Sequence, residues 1–168
     1  MGMTYNQIRA AIKTGDLIAW SEGGSWTSWR NIQLNLIRMG TMSDWNHVGI
    51  AYVADGRVFV VEAVIPEVRI YPLSKLLPFT FIHTPFMFDD IATDRMLKWV
   101  GTEYSKWEAI KAPFTRQTNN DKAMQCAKLC NDVYSYFNSD YSNLHDTPAA
   151  VVKFTLDNYM TESVNVIS

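Results

Sequence analysis

Three residues of this chain have the types that acyl-transfer chemistry needs: an imidazole at His47, a carboxylate at Glu62 and a thiol at Cys126. His47 opens the β-rich run His47-Val48-Gly49-Ile50-Ala51-Tyr52-Val53, and Glu62 lies in a second, Val58-Phe59-Val60-Val61-Glu62-Ala63-Val64. Asp55-Gly56 stands between them, and Asp-Gly between two such runs is a strong signature of a two-residue hairpin turn. With Asp55 and Gly56 at the centre of the turn, opposed positions sum to 111. Glu62 then faces Gly49 and His47 faces Val64, so His47, Gly49 and Glu62 share one face of the sheet. Glu62 is a diagonal neighbour of His47, about 7 Å away between backbones, and Gly49 leaves the gap between them open. A carboxylate there can fix the imidazole tautomer and support its protonated form. The pair can equally be a structural hydrogen bond that holds the hairpin, and a three-residue turn would put Glu62 on the opposite face.

An imidazole with an acid partner still needs a nucleophile. The chain has two cysteines, Cys126 and Cys130, four apart. That spacing places both on one helix face and is not a disulfide framework, so reduced thiols in an intracellular setting are expected. Met124, Cys126, Leu129, Val133 and Phe137 give residues 121–137 a helical apolar stripe, with Asn119, Asn120 and Asp121 as candidate N-caps. A thiol in the first turns of a helix is biased toward thiolate. Cys130, one turn deeper, reads as a buried inert thiol. Taken alone, a helical cysteine reads as packing at either position. Cys-x-x-x-Cys is poor zinc spacing. His83 sits in an apolar strand and reads as a satisfied structural residue, and His145 as a solvated loop residue. No metal and no cofactor is expected.

The elements that must position these groups can be read in order. Residues 4–13 read as a short helix with Thr4 as N-cap and Gly15 closing it, and Asp16–Trp20 as a strand. Residues 21–25 form a loop, and 28–39 a helix with Trp29, Ile32, Leu36 and Met39 on one stripe. After the hairpin come strands at Val68–Tyr71 and Phe79–His83, then helices at 89–100, 122–137 and 148–159. Strands followed by helices indicate a single α+β domain over residues 1–168, with a mostly antiparallel sheet. The hairpin is apolar on both faces, so the whole sheet is expected to be covered and the His47/Glu62 pair desolvated. Trp20, Trp26, Trp29 and Trp45 cluster near the site strands, either as core or as an aromatic cleft wall.

Composition narrows the function classes. The chain has 168 residues, 48% apolar and 13% aromatic, and a net charge of −2. Lys106, Lys111 and Arg116 are interrupted by Glu108, so there is no basic footprint for nucleic acid. The apolar runs Leu17–Trp20 and Val58–Val61 are far short of the ~20 residues of a membrane span. No secretory signal is read at the start, and Asn6 argues against myristoylation at Gly2. A cytoplasmic location, or one within a larger assembly, is the expectation.

These residues, in this order, resemble the circularly permuted papain-like superfamily, which includes YiiX-like hydrolases and, more distantly, lecithin:retinol acyltransferases and NlpC-type peptidases. Gly15-Asp16-Leu17-Ile18 looks like its opening strand, Ser43-Asp44-Trp45-Asn46-His47-Val48-Gly49-Ile50 like its His-bearing strand, and Val60-Val61-Glu62-Ala63 like the next strand with its acid. Gly101-Thr102-Glu103-Tyr104 is similar to the Gly-x-x-Tyr element, Gln125-Cys126-Ala127-Lys128-Leu129-Cys130 to the nucleophile helix, and Thr147-Pro148 to a late Thr-Pro element. Ala127-Lys128 departs from the usual Ser-Glu after the nucleophile, and residues 115–121 form a polar insert. The resemblance implies a permuted papain-like fold in which Cys126 is the nucleophile, His47 the base and Glu62 the orienting acid. It implies hydrolysis or transfer of an acyl group at an amide or ester of a peptide or lipid substrate. Gln125, Tyr104, Asp16 and Trp45 are candidate substrate contacts by position. The competing expectation is a catalytically silent binding or structural module of a larger assembly, a viral one included, that retains the fold.

Overall fold

A computed structural model describes residues 2–21, 45–103, 126–159, 161 and 163–167. The expected helix over 28–39 and the candidate N-caps at 119–121 lie outside the described residues. At the hairpin, Asp55 and Gly56 carry φ of 49° and 70°, the left-handed pair that a type I′ turn requires. Strands β3 (His47–Ala54) and β4 (Arg57–Ala63) leave that turn with Tyr52 opposite Phe59 and Ile50 opposite Val61. The register is therefore the one that the Asp-Gly turn predicts.

The hairpin is the middle of a larger sheet. β2 (Leu17–Trp20) pairs antiparallel with β3, setting Trp20 opposite His47, and β5 (Val68–Pro72) pairs antiparallel with β4, setting Arg69 opposite Glu62. β6 (Phe79–Ile82) adds to the other side of β2. Two terminal strands complete that flank: β7 (Ser163–Ile167), antiparallel to β6, and the two-residue β1 (Met3–Thr4), parallel to β7. The order is β1-β7-β6-β2-β3-β4-β5, with one parallel pair. This is the expected α+β class with a mostly antiparallel sheet.

Both faces of the sheet are covered, as its apolar alternation demands. Leu17, Ala19, Val48, Ile50, Val61 and Ala63 pack against three helices: α2 (Asp90–Leu97) through Met96, α3 (Cys126–Tyr134) through Leu129, Cys130 and Val133, and α4 (Pro148–Tyr159) through Val151 and Val152. Ile18, Trp20, Ala51, Val60, Phe79 and Phe81 form the second core, closed by Ile8, Ile12, Leu73 and Leu76. α2 starts where the Asp89 side chain accepts from the Ala92 amide at 2.8 Å, and α4 where Pro148 takes the first helical position after Thr147. Among the described residues no helix is long and apolar enough to cross a membrane.

Two expectations about elements are corrected. The helix expected over 4–13 is only Tyr5–Ile8 (α1, placed between β1 and β2), because past Ile8 the Ala11 amide turns back to the Ile8 carbonyl and the Lys13 amide donates to Asp16 Oδ2. Ile12 stays buried without being helical. The last strand, β7, was not anticipated: it is short, and its partner lies some 80 positions upstream, so no local signal announces the pairing.

Candidate active site

His47 is the first residue of β3. Its ring lies 5.1 Å from that of Trp20, tilted by 36°. Trp20 is itself pinned by a 2.8 Å hydrogen bond from Nε1 to the Leu76 carbonyl. Asn46 ties the strand start down, its amide donating to the Trp20 carbonyl and its side chain to the Ser21 carbonyl. The imidazole therefore enters a fixed environment.

The diagonal contact that the register allows is made: His47 Nε2 and Glu62 Oε2 are 2.7 Å apart. An ionised carboxylate only accepts, so Nε2–H donates. Gly49 is what makes this possible. A Cβ at Gly49 would stand 2.6 Å from Val60 Cγ2, 3.0 Å from the Val61 carbonyl oxygen and 3.3 Å from Glu62 Cβ, so any side chain there would crowd the strand that carries Glu62. The second carboxylate oxygen, Glu62 Oε1, accepts from Arg69 Nε at 3.0 Å and from Arg69 Nη2 at 2.7 Å. Arg69 in turn lies over the Tyr71 ring, 4.3 Å from its centroid. Glu62 is thus held on both oxygens.

With Nε2 given to Glu62, Nδ1 is the ring nitrogen that remains, and Cys126 lies near enough to the imidazole to act on its protonation. Cys126, His47 and Glu62 are 2%, 1% and 0% exposed, so little water screens these contacts. Burial alone would pull the His47 pKa down, but the hydrogen bonds and charges of Cys126 and Glu62 outweigh it and raise it to about 9. Burial would push the Glu62 carboxyl up, yet His47 first and Arg69 second bring it down to about 2. The arrangement thus favours imidazolium and carboxylate. Its chemical capacity is that of a base oriented on one side by an acid and placed on the other against a thiol.

The other candidates fall differently. Asp16 does not reach this site. It sits four residues before Trp20, about 13 Å along the strand direction. There its Oδ2 accepts from the Lys13 amide at 2.7 Å, and its Oδ1 from the Thr84 amide at 3.0 Å and His83 Nδ1 at 2.9 Å. Asp16 is a buried structural acceptor, and burial raises its carboxyl pKa. His83 is thereby partnered but exposed, and His145 is exposed in its loop. Trp45 is half-buried against the core beneath the helices, and Trp20 is core. Cys130 is fully buried, which pushes its thiol pKa well up and suits an inert packing role. Gln125, Tyr104, Trp26 and Trp29 lie outside the described residues. Among the described residues, no group of three or more His, Cys, Asp and Glu could hold a metal ion.

Arg69 is the residue that the reading of the sequence missed. A strand over Val68–Tyr71 was expected, and antiparallel pairing through the tight turn at Ile65-Pro66 would have set Arg69 opposite Glu62. The signal was a cross-strand charge pair.

No protein-family model matches the chain, and no curated protein matches it. Among solved structures, the crystal structure of the metalloprotein YiiX from Escherichia coli O157:H7 is similar, with a TM-score of 0.54 and 16% sequence identity over 91% of this chain and 88% of that one. The shared feature is the fold. The chain has a YiiX-like α+β architecture.

Proposed function

We propose that this chain is a thiol hydrolase or acyltransferase of the permuted papain-like kind, with Cys126 as nucleophile, His47 as base and Glu62 as the residue that orients the base. The observation that carries the reading is one buried imidazole bonded to Glu62, with the buried Cys126 close enough to act on its protonation. In the proposed cycle His47 Nδ1 takes the Cys126 proton, and the thiolate attacks the carbonyl carbon of an amide or ester. The resulting oxyanion is assigned to the Cys126 backbone amide. Collapse breaks the bond to the leaving amine or alcohol, which takes the proton back from His47. Water, or an acceptor hydroxyl, then gives its proton to His47, opens the thioester and regenerates the thiol. Glu62 keeps the Nε2–H tautomer in place throughout, and Arg69 keeps Glu62 ionised. The substrate class assigned is a peptide or lipid, of cell-wall or membrane type, and the two free cysteines suit a reducing compartment.

The similar YiiX structure is titled a metalloprotein, but the described residues here do not fit a resident metal. Both Glu62 oxygens are taken, by His47 and Arg69. That leaves one imidazole nitrogen and one thiol, fewer than the three protein ligands of a catalytic zinc site.

One observation favours the silent-module reading. The three groups are so fully covered that a substrate carbonyl enters only if covering residues move. Incubation with p-nitrophenyl acetate separates the two. The enzyme reading predicts an acetyl adduct on Cys126 by intact-mass spectrometry, formed ~100-fold or more slowly in His47→Ala. A chain that never acquires the adduct, while Cys126 remains alkylatable, is a silent module.

A further inference from the structure

At the opposite end of the hairpin from His47 lies a groove that the chemistry above does not use. It has a volume of about 400 Å³ and lies between α1, the hairpin tip and the turn after β5; its walls include Tyr5, Arg9, Arg57, Phe59 and Ser74. That volume is within the range of small-ligand sites. His47 and Ala54 are seven residues apart on β3, so the groove is roughly 23 Å from the imidazole.

Its electrostatics are one-sided. Neither the Arg9 nor the Arg57 side chain forms an ion pair or hydrogen bond with a described residue. No acidic residue lines the groove; the nearest in sequence, Asp55, lies in the exposed turn next to Gly56. Tyr5 is anchored edge-on against Phe79 at 6.4 Å, and its phenol feels the Arg9 charge. In a chain of net charge −2, a concave site lined by two guanidiniums and by no carboxylate carries the opposite sign. Two planar forks, with a serine hydroxyl beside them, match the oxygens and the double charge of a phosphate group better than a single-charge carboxylate.

We propose that this groove binds the phosphate group of a ligand, held between Arg9 and Arg57. The same chemistry is offered by a soluble phosphomonoester and by a phospholipid headgroup. The site stands independently of the role of Cys126.

The test uses inorganic phosphate against chloride at matched ionic strength, read by thermal unfolding and by calorimetry. Saturable binding in the millimolar range or tighter is expected, with a rise in Tm that chloride does not give. Arg9→Gln and Arg57→Gln, both at exposed positions, are expected to weaken binding about tenfold each, and Lys98→Gln, an exposed cation elsewhere, to leave it unchanged. Vesicles of phosphatidic acid in phosphatidylcholine distinguish the sources: sedimentation that depends on Arg9 and Arg57 identifies a headgroup, and none identifies a soluble phosphate. A response equal to that of chloride, or one that survives Arg9→Gln/Arg57→Gln, or one lost equally in Lys98→Gln, overturns the proposal.

Discussion

At the scale of single residues, Glu62 is tightly constrained. It is fully buried, and both its oxygens are committed, one to His47 and one to two nitrogens of Arg69. A buried carboxylate that loses a charged donor is left with an unmet desolvation cost. Arg69→Met is therefore expected to lower stability by about 2 kcal/mol, with Arg69→Lys recovering part because it keeps the charge but not the fork. Urea unfolding measures both, and an unchanged midpoint in Arg69→Met would contradict the assignment. The His47–Glu62 pairing was legible in the sequence because two local facts sufficed: a turn of known length and a period of two. Arg69 required one further step of the same logic. Asp16 was misplaced because a short motif tells which strand a residue opens, not which end of that strand meets the site.

At the scale of elements, the hairpin is the unit that the site cannot do without, and its two glycines do different work. Gly56 has φ of 70° with open space around its missing side chain, whereas Gly49 has no room for one. Gly56→Ala is expected to cost about 1 kcal/mol through backbone strain alone. Gly49→Ala should cost about 1–3 kcal/mol through overpacking against Val60 and the Val61 carbonyl. It should also slow the alkylation of Cys126, because the displaced Glu62 no longer orients His47. Equal alkylation rates for the two variants would show that Gly49 has no part in the geometry of the site. The hairpin was legible because its signal, Asp-Gly at the tip, is local, and the two helices that follow begin at local caps, Asp89 before α2 and Thr147 before α4. The strands missed depend on distant pairing. Met3 and Thr4 pair with Val166 and Ile167, and nothing near residue 4 encodes that contact.

At the scale of the whole molecule, the ionised cluster couples stability to pH. Glu62 lies below its ordinary 4.5, at about 2, so its contribution is complete above about 4.5 and is lost as pH falls toward 2. His47 lies above its ordinary 6.5, at about 9, so its contribution is complete below 6.5 and is lost as pH rises to about 9. Unfolding free energy is therefore expected to decline between pH 6.5 and 9 in the wild type, and to decline less in His47→Ala. Parallel curves for the two proteins would mean that His47 is not held by its neighbours as described. The YiiX-like architecture belongs to this scale too: the antiparallel sheet and the helices upon it were foreseeable from the order of strands and helices, while closure of one flank by both chain termini was not.

The central claim is that His47 and Cys126 act as one unit, and the pH dependence of Cys126 alkylation by iodoacetamide tests it most directly. Alkylation at pH 6 is expected to run well above that of a free peptide thiol and to fall to the peptide rate in His47→Ala. A Cys126 that reacts no faster than the peptide at pH 6, at a rate indifferent to His47→Ala, would contradict it.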